Sequence, residues 1–293
     1  MTRGPVAPII DMHSHWGTRR GYPFQTPEEL AQQERVFKST PRYVSEAEMA
    51  EHFRKTGVRV MLDLGVRSSQ SIDDARALHD YAFATQREHA DVILGHWLHI
   101  DPRHGRAAVA EWDRCLRAAP GVVGLGVPGA GFNVPADDPG YEPLYRRCVE
   151  ARAPVLIMVG TTGLGAGQPG GGGVRLDASH PRHLDEVAAG HPELIIVASR
   201  PAWPWQTEMI AILLHKTSIW YELHGWSPRY FAPDLKLEIG RRLQDRVMFG
   251  ADYPLLSYER VLGDWKGEGY GDDVLDKVLR GNAEAFLATL GPR

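Results

Sequence analysis

PIIDMHSHWG, at residues 8–17, reads as a β-strand that ends in a pair of histidines. Side chains alternate between the two faces of a strand, so His13 and His15 are predicted to point the same way, with Met12 and Ser14 on the opposite face. Two imidazoles that converge on one point suit a first-row metal ion, for which neutral imidazole is a borderline ligand. Because His-x-His is short and common by chance, two histidines in an ordinary buried strand are the alternative.

The composition indicates a soluble globular protein. A chain of 293 residues can form one large domain, and we predict that residues 1–293 form a single one. The content of 43% hydrophobic and 24% charged residues is typical of a protein with a sizeable core. The net charge of -4 and the pI near 6.4 give no reason to expect nucleic acid or an anionic membrane as a partner. Small molecules are the expected ligands.

The cysteines and the start of the sequence favour a cytoplasmic location. Cys115 and Cys148 fall in segments with helical spacing and are not part of a CxxC motif. No charged segment followed by an apolar one opens the sequence, and no apolar run approaches the roughly 20 residues of a membrane span. We therefore predict a cytoplasmic protein with reduced cysteines.

Strand-like and helix-like segments alternate along the chain. Eight apolar, β-branched strand candidates occur at residues 8–13, 58–64, 91–100, 121–127, 153–159, 193–199, 218–224 and 246–252. Segments with helical spacing lie between them, at residues 45–56, 71–89, 106–119, 141–152 and 205–216. Continuous apolar strands that alternate with amphipathic helices indicate a parallel sheet covered by helices. The pattern predicts an α/β protein with a (β/α)₈ barrel, and a doubly wound open sheet is the alternative.

A (β/α)₈ barrel carries its site at the C-terminal ends of the strands. The residues predicted at those ends are His13, His15, His99, Gly126, Met158, Ser199, Arg200, His224 and Asp252. Of the two histidines in GHWLHID, His99 rather than His96 is expected to face the mouth, since three-residue spacing on a strand puts the two side chains on opposite faces. The loop GTTGLGAGQPGGGG, at residues 160–173, follows the fifth strand and is predicted either to cover a substrate or to be a flexible insertion.

Several of these motifs carry a family resemblance. The sequences IIDMHSHWGTRRGYP, YEPLYRRCVEARAPVLI, PAWPWQTEM, HGWSPRYF and VMFGADYPL, with the glycine-rich loop, resemble the amidohydrolase superfamily. Within it they are similar to the branch that includes aminocarboxymuconate semialdehyde and γ-resorcylate decarboxylases. The resemblance implies a (β/α)₈ barrel, a homodimer, and one divalent metal, Zn²⁺ or Mn²⁺, with His13, His15 and Asp252 at the metal-ligand positions.

The chain departs from the family pattern around that metal site. Met158 stands where the fifth strand of relatives presents a histidine, and a thioether offers little to a borderline divalent ion. Arg200 replaces a second histidine after the sixth strand, and arginine can neither act as a base nor bind a cation near neutral pH. Gly126 occupies the position of a frequent lysine, and His224 that of a frequent serine.

Three hypotheses follow for the altered site. In the first, His13, His15 and Asp252 still hold a divalent metal, with His224 as the acid or base. In the second, the site is metal-free, Arg200 stabilises the charge of the substrate and Asp252 activates water, as in a metal-independent lactonase or lyase. In the third, the chain has lost catalysis and serves as a binding protein.

The expected substrate is a small organic acid, aromatic or cyclic, that is hydrolysed or decarboxylated at the barrel mouth. Arg200 is expected to point into the mouth and bind its acidic group. The other candidate substrate contacts are Trp16, Arg19, Met158 and Trp203. Because a cation and a guanidinium about 4 Å apart repel by roughly 4 kcal/mol at an effective dielectric of 20, Arg200 is also expected to weaken metal binding.

Overall fold

The computed structural model describes residues 8–22, 26–38, 42–65 and 70–290 of the chain. Eight strands form one parallel sheet in the order β1 to β8. They are β1 (Ile9–Ser14), β2 (Val58–Leu64), β3 (Ile93–His99), β4 (Val122–Val127), β5 (Val155–Met158), β6 (Ile196–Ser199), β7 (Trp220–Leu223) and β8 (Val247–Phe249). Beyond the last strand, the Asp252 N–H donates to the His13 carbonyl at 3.1 Å, which joins β8 to β1. The predicted (β/α)₈ barrel is confirmed, with all eight strands in the predicted places.

Helices alternate with the strands around the outside of the barrel. They are α1 (Pro27–Phe37), α2 (Glu46–Thr56), α3 (Ile72–Glu88), α4 (Arg106–Ala118), α5 (Glu142–Ala151), α6 (Pro181–Gly190), α7 (Gln206–His215), α8 (Pro233–Ile239), α9 (Tyr258–Gly267), α10 (Asp272–Asp276) and α11 (Asn282–Thr289). A capping box begins α2: the Glu48 N–H donates to Ser45 Oγ at 3.3 Å, and the Ser45 N–H donates to Glu48 Oε2 at 2.8 Å. None of the helices in the described part of the chain has both the length and the hydropathy needed to cross a bilayer.

The strands separate two apolar clusters. The outer cluster lies between the strands and the helices and includes Trp112 and Trp265. The inner cluster fills the N-terminal end of the barrel, where Phe286 and Leu290 close it from below. We call this inner cluster the floor; its strand residues are Ile10, Met12, Met61, Trp97, Leu156, Val197 and Met248. The floor is thus a packed core, which leaves the C-terminal end as the open end of the barrel.

Strict alternation fails at one point of β1. Met12 belongs to the floor, whereas the sequence predicted it on the face opposite His13. The register with β2 shifts between Asp11 and Ser14, which is the signature of a β-bulge or similar irregularity. A buried network supports it, in which Asp11 accepts hydrogen bonds from the His13 N–H at 2.9 Å and from Ser14 Oγ at 2.6 Å. The irregularity lets Met12 and His13 both face the interior.

Two glycines of β4 make room for large side chains of β3. A Cβ on Gly124 would lie 2.2 Å from the indole of Trp97, and one on Gly126 would lie 2.1 Å from Cδ2 of His99. Trp97 therefore fills the floor across β4, and His99 occupies the space at the mouth in which related sequences often place a lysine. Any side chain on either glycine requires the ring of its β3 neighbour to move.

Candidate active site at the barrel mouth

On several strands, the inward-facing residue two positions beyond the floor is ionisable rather than apolar. Met61 is followed by Asp63 on β2, and Trp97 by His99 on β3. Glu222 on β7 and His224, the residue after its end, are fully buried on the inner face. With His13, His15 and Asp252, these side chains form a buried ionisable cluster at the C-terminal ends of the strands, the mouth.

His13 is held between two carboxylates. Its Nδ1 lies 3.0 Å from Glu222 Oε1 and its Nε2 lies 3.6 Å from Asp63 Oδ2. Its ring stacks on that of His224, with a centroid distance of 3.5 Å and an angle of 4° between the planes. A Cβ on Gly250 would lie 3.3 Å from the Cβ of His13 and 2.7 Å from Glu222 Oε2, so this position of the chain after β8 must stay small.

The carboxylates of the mouth stay ionised in spite of their burial. Burial alone raises the pKa of Glu222, but the adjacent His224 and His13 outweigh it and hold that pKa below its usual value. Burial likewise raises the pKa of Asp63, and His99, His13 and His15 bring it down below its usual value. Burial, the largest single influence, lowers the pKa of His13, but the charge and hydrogen bond of Glu222 and the charges of Asp63 and Asp252 together outweigh it, and the net shift is upward.

His224 is locked as a neutral imidazole. The Arg200 Nη2 group lies 3.1 Å from its Nε2, and since a guanidinium only donates, Nε2 must be the acceptor. The proton therefore sits on Nδ1, which donates to Glu222 Oε1 at 2.8 Å. Burial, the largest influence, lowers the pKa of His224 to about 4 although Glu222 raises it. His224 thus connects Arg200 to Glu222 and has no lone pair left for a metal.

Arg200 and Asp252 follow β6 and β8, and both have left-handed backbone conformations. Their φ angles are 67° and 62°, which non-glycine residues adopt only when surrounding structure compensates for the strain. The Arg200 N–H donates to the Glu222 carbonyl at 2.9 Å, and its Nη1 donates to the Thr161 carbonyl at 2.8 Å. Its buried Nε has no hydrogen-bond partner among the described residues. The guanidinium is therefore fixed in place, and its Nε–H is free of hydrogen bonds to the described residues.

Asp252 pairs with His15. Its Oδ1 lies 3.2 Å from His15 Nε2, while His15 Nδ1 lies 3.8 Å from Asp63 Oδ1. Burial raises the pKa of Asp252, but His15, His224 and Arg200 together lower it below its usual value. Asp252 is thus an anion at neutral pH and a proton acceptor.

Asp63 and Glu222 were missed by sequence reasoning, although a signal for each was present. Each is the single acidic residue of its strand and lies near the C-terminal end of that strand. Glu222 also precedes His224 by two residues, so the two must share a face. A charged residue in such a position is rarely buried unless it is paired.

The predicted difference between His96 and His99 is confirmed. His99 Nε2 lies 2.9 Å from Asp63 Oδ2 at the mouth. His96 lies outside the sheet, where its ring stacks on Trp16 at 5.6 Å, and burial lowers its pKa to about 3.

The other predicted substrate contacts lie in different environments. Met158 ends β5 and is half-buried at the mouth. Trp203 is 54% exposed and lies 6.2 Å from the ring of Trp226. Arg19 is exposed, with its guanidinium 4.7 Å from the centre of the Tyr43 ring. Trp16 has no exposed surface and packs on Tyr81 at 4.9 Å, so it is a core residue rather than part of the mouth.

The donor atoms of the mouth fit a divalent cation. His13, His15 and His224 each offer a ligand atom within 4.8 Å of the others. One ion cannot bind both His13 and His224, however, because a ring nitrogen binds in the plane of its ring and these two planes are stacked. Buried atoms without a hydrogen-bond partner among the described residues include His13 Nε2, His15 Nδ1, Asp63 Oδ1 and Asp252 Oδ1. When the imidazoles are neutral, as metal ligation requires, the buried carboxylates Asp63, Glu222 and Asp252 outnumber the one guanidinium, Arg200, and a cation would balance the excess of negative charge.

A second cluster of ligand-type side chains lies between α3 and α4. His79, Glu111 and Cys115 have ligand-type atoms within 4.8 Å of one another. The Glu111 carboxylate already accepts hydrogen bonds from Arg114 at 2.7 and 2.8 Å and lies 2.8 Å from His79 Nδ1. The Glu111 carboxylate is thus already engaged by protein groups, and the network ties the two helices together.

Comparisons with known proteins agree with the fold. The family model described as amidohydrolase matches residues 10–289. The structure is similar to an uncharacterized TIM-barrel protein from Bordetella bronchiseptica, with 21% identity, a TM-score of 0.75, and coverage of 97% of this chain and 100% of that one. It is also similar to 2,6-dihydroxybenzoate decarboxylase from Rhizobium, with 16% identity, a TM-score of 0.70, and coverage of 98% and 100%.

A third similar structure is 5-carboxyvanillate decarboxylase from Novosphingobium aromaticivorans, complexed with manganese and a nitrobenzoic acid. It shares 14% identity over 96% of each chain, with a TM-score of 0.71. A search of curated protein sequences gave no significant match.

Proposed function

This chain belongs to the amidohydrolase family, and we propose that it is an enzyme that hydrolyses or decarboxylates a small aromatic or cyclic carboxylic acid at the barrel mouth. One observation carries the proposal: a fixed guanidinium, Arg200, and an ionised carboxylate, Asp252, stand at the mouth of the barrel beside buried imidazoles. The aromatic acids that the similar decarboxylases act on support this substrate class.

Arg200 binds the acidic group of the substrate in this proposal. Its hydrogen bonds to Thr161 and His224 fix the guanidinium before a ligand arrives, so little side-chain entropy is lost on binding. The unpartnered Nε–H can donate to a carboxylate, and a fixed donor also stabilises negative charge that develops during reaction. Met158 and Trp203 supply apolar surface near an aromatic or cyclic ring, and Arg19 is a peripheral cation for an acidic substrate.

Asp252 acts as the proton acceptor. In hydrolysis it takes a proton from the attacking water and returns it to the leaving group. In decarboxylation it takes a proton from a substrate hydroxyl or from water and returns it to the carbon that loses carbon dioxide. His15, 3.2 Å away, holds the carboxylate in position. His224 accepts a hydrogen bond from the Arg200 guanidinium and donates one to Glu222, and so holds both groups in place.

We propose that His13, His15 and Asp252 hold a divalent cation, Zn²⁺ or Mn²⁺, in the working enzyme. Such a cation polarises a carboxylate or carbonyl and lowers the pKa of water. The buried unpartnered nitrogens and the excess of carboxylates support this assignment. His224 is excluded from the set by its hydrogen bond to Arg200.

A metal-independent lactonase or lyase is the second candidate. The contact of 3.1 Å between Arg200 and His224 favours it, because this contact fixes a positive charge of the protein itself inside the mouth. In that case Arg200 and Asp252 suffice, and His13 and His15 donate hydrogen bonds to the substrate carbonyl.

A substrate panel with matched neutral analogues tests the proposal. The purified protein is incubated with 2,6-dihydroxybenzoate, other hydroxybenzoates and cyclic esters that carry a carboxylate, and carbon dioxide and acid release are measured. For each ester the control is the analogue with a carboxamide in place of its carboxylate; for the hydroxybenzoates, whose amides cannot lose carbon dioxide, the amide is tested as a competitive inhibitor. We expect turnover of at least one acid, with no turnover of, or inhibition by, its amide. Equal turnover of ester and amide analogue, inhibition by the amide as strong as binding of the acid, or no turnover across the panel would contradict the acid specificity.

Cation dependence separates the two candidates. Activity on the best acid is measured after dialysis against a chelator and after Mn²⁺ or Zn²⁺ is added back. The first candidate predicts a loss and a recovery, and the second predicts no change. Light scattering of the same sample tests the proposed homodimer, and a monomer at micromolar concentration would contradict it.

A further inference from the structure

We propose that Asp63 on β2 is a ligand of the cation and replaces the ligand that Met158 cannot provide on β5. This inference rests on the proposed cation site. It is argued from three buried atoms at the barrel mouth, His13 Nε2, His15 Nδ1 and Asp63 Oδ1, that have no hydrogen-bond partner among the described residues.

Asp63 stands between the two histidines of β1. Its Oδ2 lies 3.6 Å from His13 Nε2 and its Oδ1 lies 3.8 Å from His15 Nδ1. Both nitrogens and Asp63 Oδ1 are buried and have no hydrogen-bond partner among the described residues. Unpartnered buried atoms are costly, so a native site normally supplies a partner such as an ion or water.

The spacing of these atoms suits a shared ion. Donor atoms that each lie about 2.1 Å from one ion stand about 3 to 4 Å apart, which is longer than a hydrogen bond. The two distances of Asp63 fall in this range. The rings of His13 and His15 are also nearly perpendicular, at 83°, so their planes intersect and one ion can lie in both.

The neighbours of Asp63 and His15 hold the donors in the orientation that ligation needs. His99 donates from Nε2 to Asp63 Oδ2 at 2.9 Å, and Gly126 leaves space for that ring. On the other side, Asp252 Oδ1 lies 3.2 Å from His15 Nε2, which leaves Nδ1 as the ring nitrogen that faces Asp63. In this arrangement Asp252 orients His15, and Asp63 takes its place as the carboxylate ligand. Ligands held by such outer hydrogen bonds are typical of metal sites.

Loss of affinity in Asp63→Asn tests this role, with Glu222→Gln as the matched control. Both changes remove one buried negative charge next to His13, but only Asp63 is inferred to ligate. The Kd for Mn²⁺ is measured by counting free Mn²⁺ with electron paramagnetic resonance on chelator-treated protein. We expect Asp63→Asn to raise the Kd at least tenfold and Glu222→Gln to raise it less than threefold. Equal changes in the two variants would overturn the inference.

Asp63→Cys provides a second test that does not depend on a loss. A thiolate bound to Co²⁺ gives an intense charge-transfer band in the near ultraviolet, and this band requires residue 63 to bind the ion. Because Cys115 and Cys148 remain, wild-type protein is the control: a band in Asp63→Cys that wild type lacks supports the inference, and a folded Asp63→Cys protein that binds Co²⁺ without such a band overturns it. Wild-type protein that binds neither Mn²⁺ nor Co²⁺ overturns the inference too, while turnover of the acid panel after chelation would leave the proposed acid chemistry intact.

Discussion

The two ends of the barrel are built from the same strands in opposite ways. At the floor, Met61 and Trp97 pack in an apolar cluster closed by Phe286. Two residues further along the same strands, Asp63 and His99 lie in a network of buried charges. The floor has apolar partners for its side chains, whereas the mouth leaves polar atoms without partners in the described structure. Apolar packing is therefore concentrated at the floor, and polar atoms without described partners are concentrated at the mouth.

We expect the mouth to lower the unfolding free energy of this fold. Burying a charge without a full set of partners is unfavourable, and the backbone at Arg200 and Asp252 adds strain in the left-handed region. Packing at the floor and outside the sheet must offset both. We therefore expect changes at the floor to affect stability first and changes at the mouth to affect ligands first.

The largest effect on stability is expected for Trp97→Ala at the floor. The change removes an indole that fills the barrel across Gly124 and donates to the Met12 carbonyl at 2.8 Å. Truncation of a buried tryptophan costs about 3 to 5 kcal/mol of unfolding free energy. Urea unfolding measures it, with Met158→Leu at the mouth as a control that should cost less than about 1.5 kcal/mol. Similar losses in the two variants would refute the contrast between floor and mouth.

Next comes an acid sensitivity that originates at the mouth. The pKa of His224 in the fold, about 4, lies below its usual value, so the unfolded chain binds a proton first as pH falls. Its contribution to stability is complete above about pH 6.5 and is lost between there and pH 4, up to about 3 kcal/mol. His224→Gln keeps a donor and an acceptor but cannot titrate, so its unfolding free energy should fall less over this interval. Parallel pH profiles of the two proteins would contradict the assignment.

A smaller effect is expected from Met158→His, which restores a nitrogen ligand at the end of β5. An added imidazole should tighten Mn²⁺ binding about tenfold, or about 1.4 kcal/mol. Equilibrium dialysis measures the affinity, and Met158→Gln controls for a polar side chain that is a poor ligand. Unchanged affinity in Met158→His would show that this side of the mouth does not face the ion.

The sequence predicted the barrel because its strands are continuous apolar runs with regular spacing, and all eight are where the pattern put them. Some helices were not indicated, such as α6 and α11, and α11 packs Ala283 and Phe286 against the floor. Met12 was placed on the wrong face because strict alternation takes no account of the shift in β1. The shift is supported by hydrogen bonds that the Asp11 side chain accepts from the Ala251 N–H and the Tyr258 hydroxyl, and both residues are far from Asp11 in the sequence.

The sequence predicted those residues of the candidate site whose place follows from their position at the end of a strand. His13, His15 and Asp252 were expected at the mouth and lie there, although their roles stay predictions. Asp63 and Glu222 were missed because one acidic residue near the end of a strand is a weak signal, and their shared partner His13 comes from another strand. The connection from Arg200 through His224 to Glu222 also spans two strands, so no local motif encodes it.

Replacement of Arg200 is the most direct test of the claim that the mouth binds an acid through a fixed guanidinium. Calorimetric titration of wild-type and Arg200→His protein with the acid that the panel selects, and separately with Mn²⁺ or Zn²⁺, measures both affinities. A lost hydrogen bond to a charged group costs about 1.5 to 3 kcal/mol, so acid affinity should fall roughly 10- to 150-fold. Metal affinity should rise, because a repelling cation is exchanged for a ligand. If Arg200→His changes neither affinity, the account of the mouth is wrong.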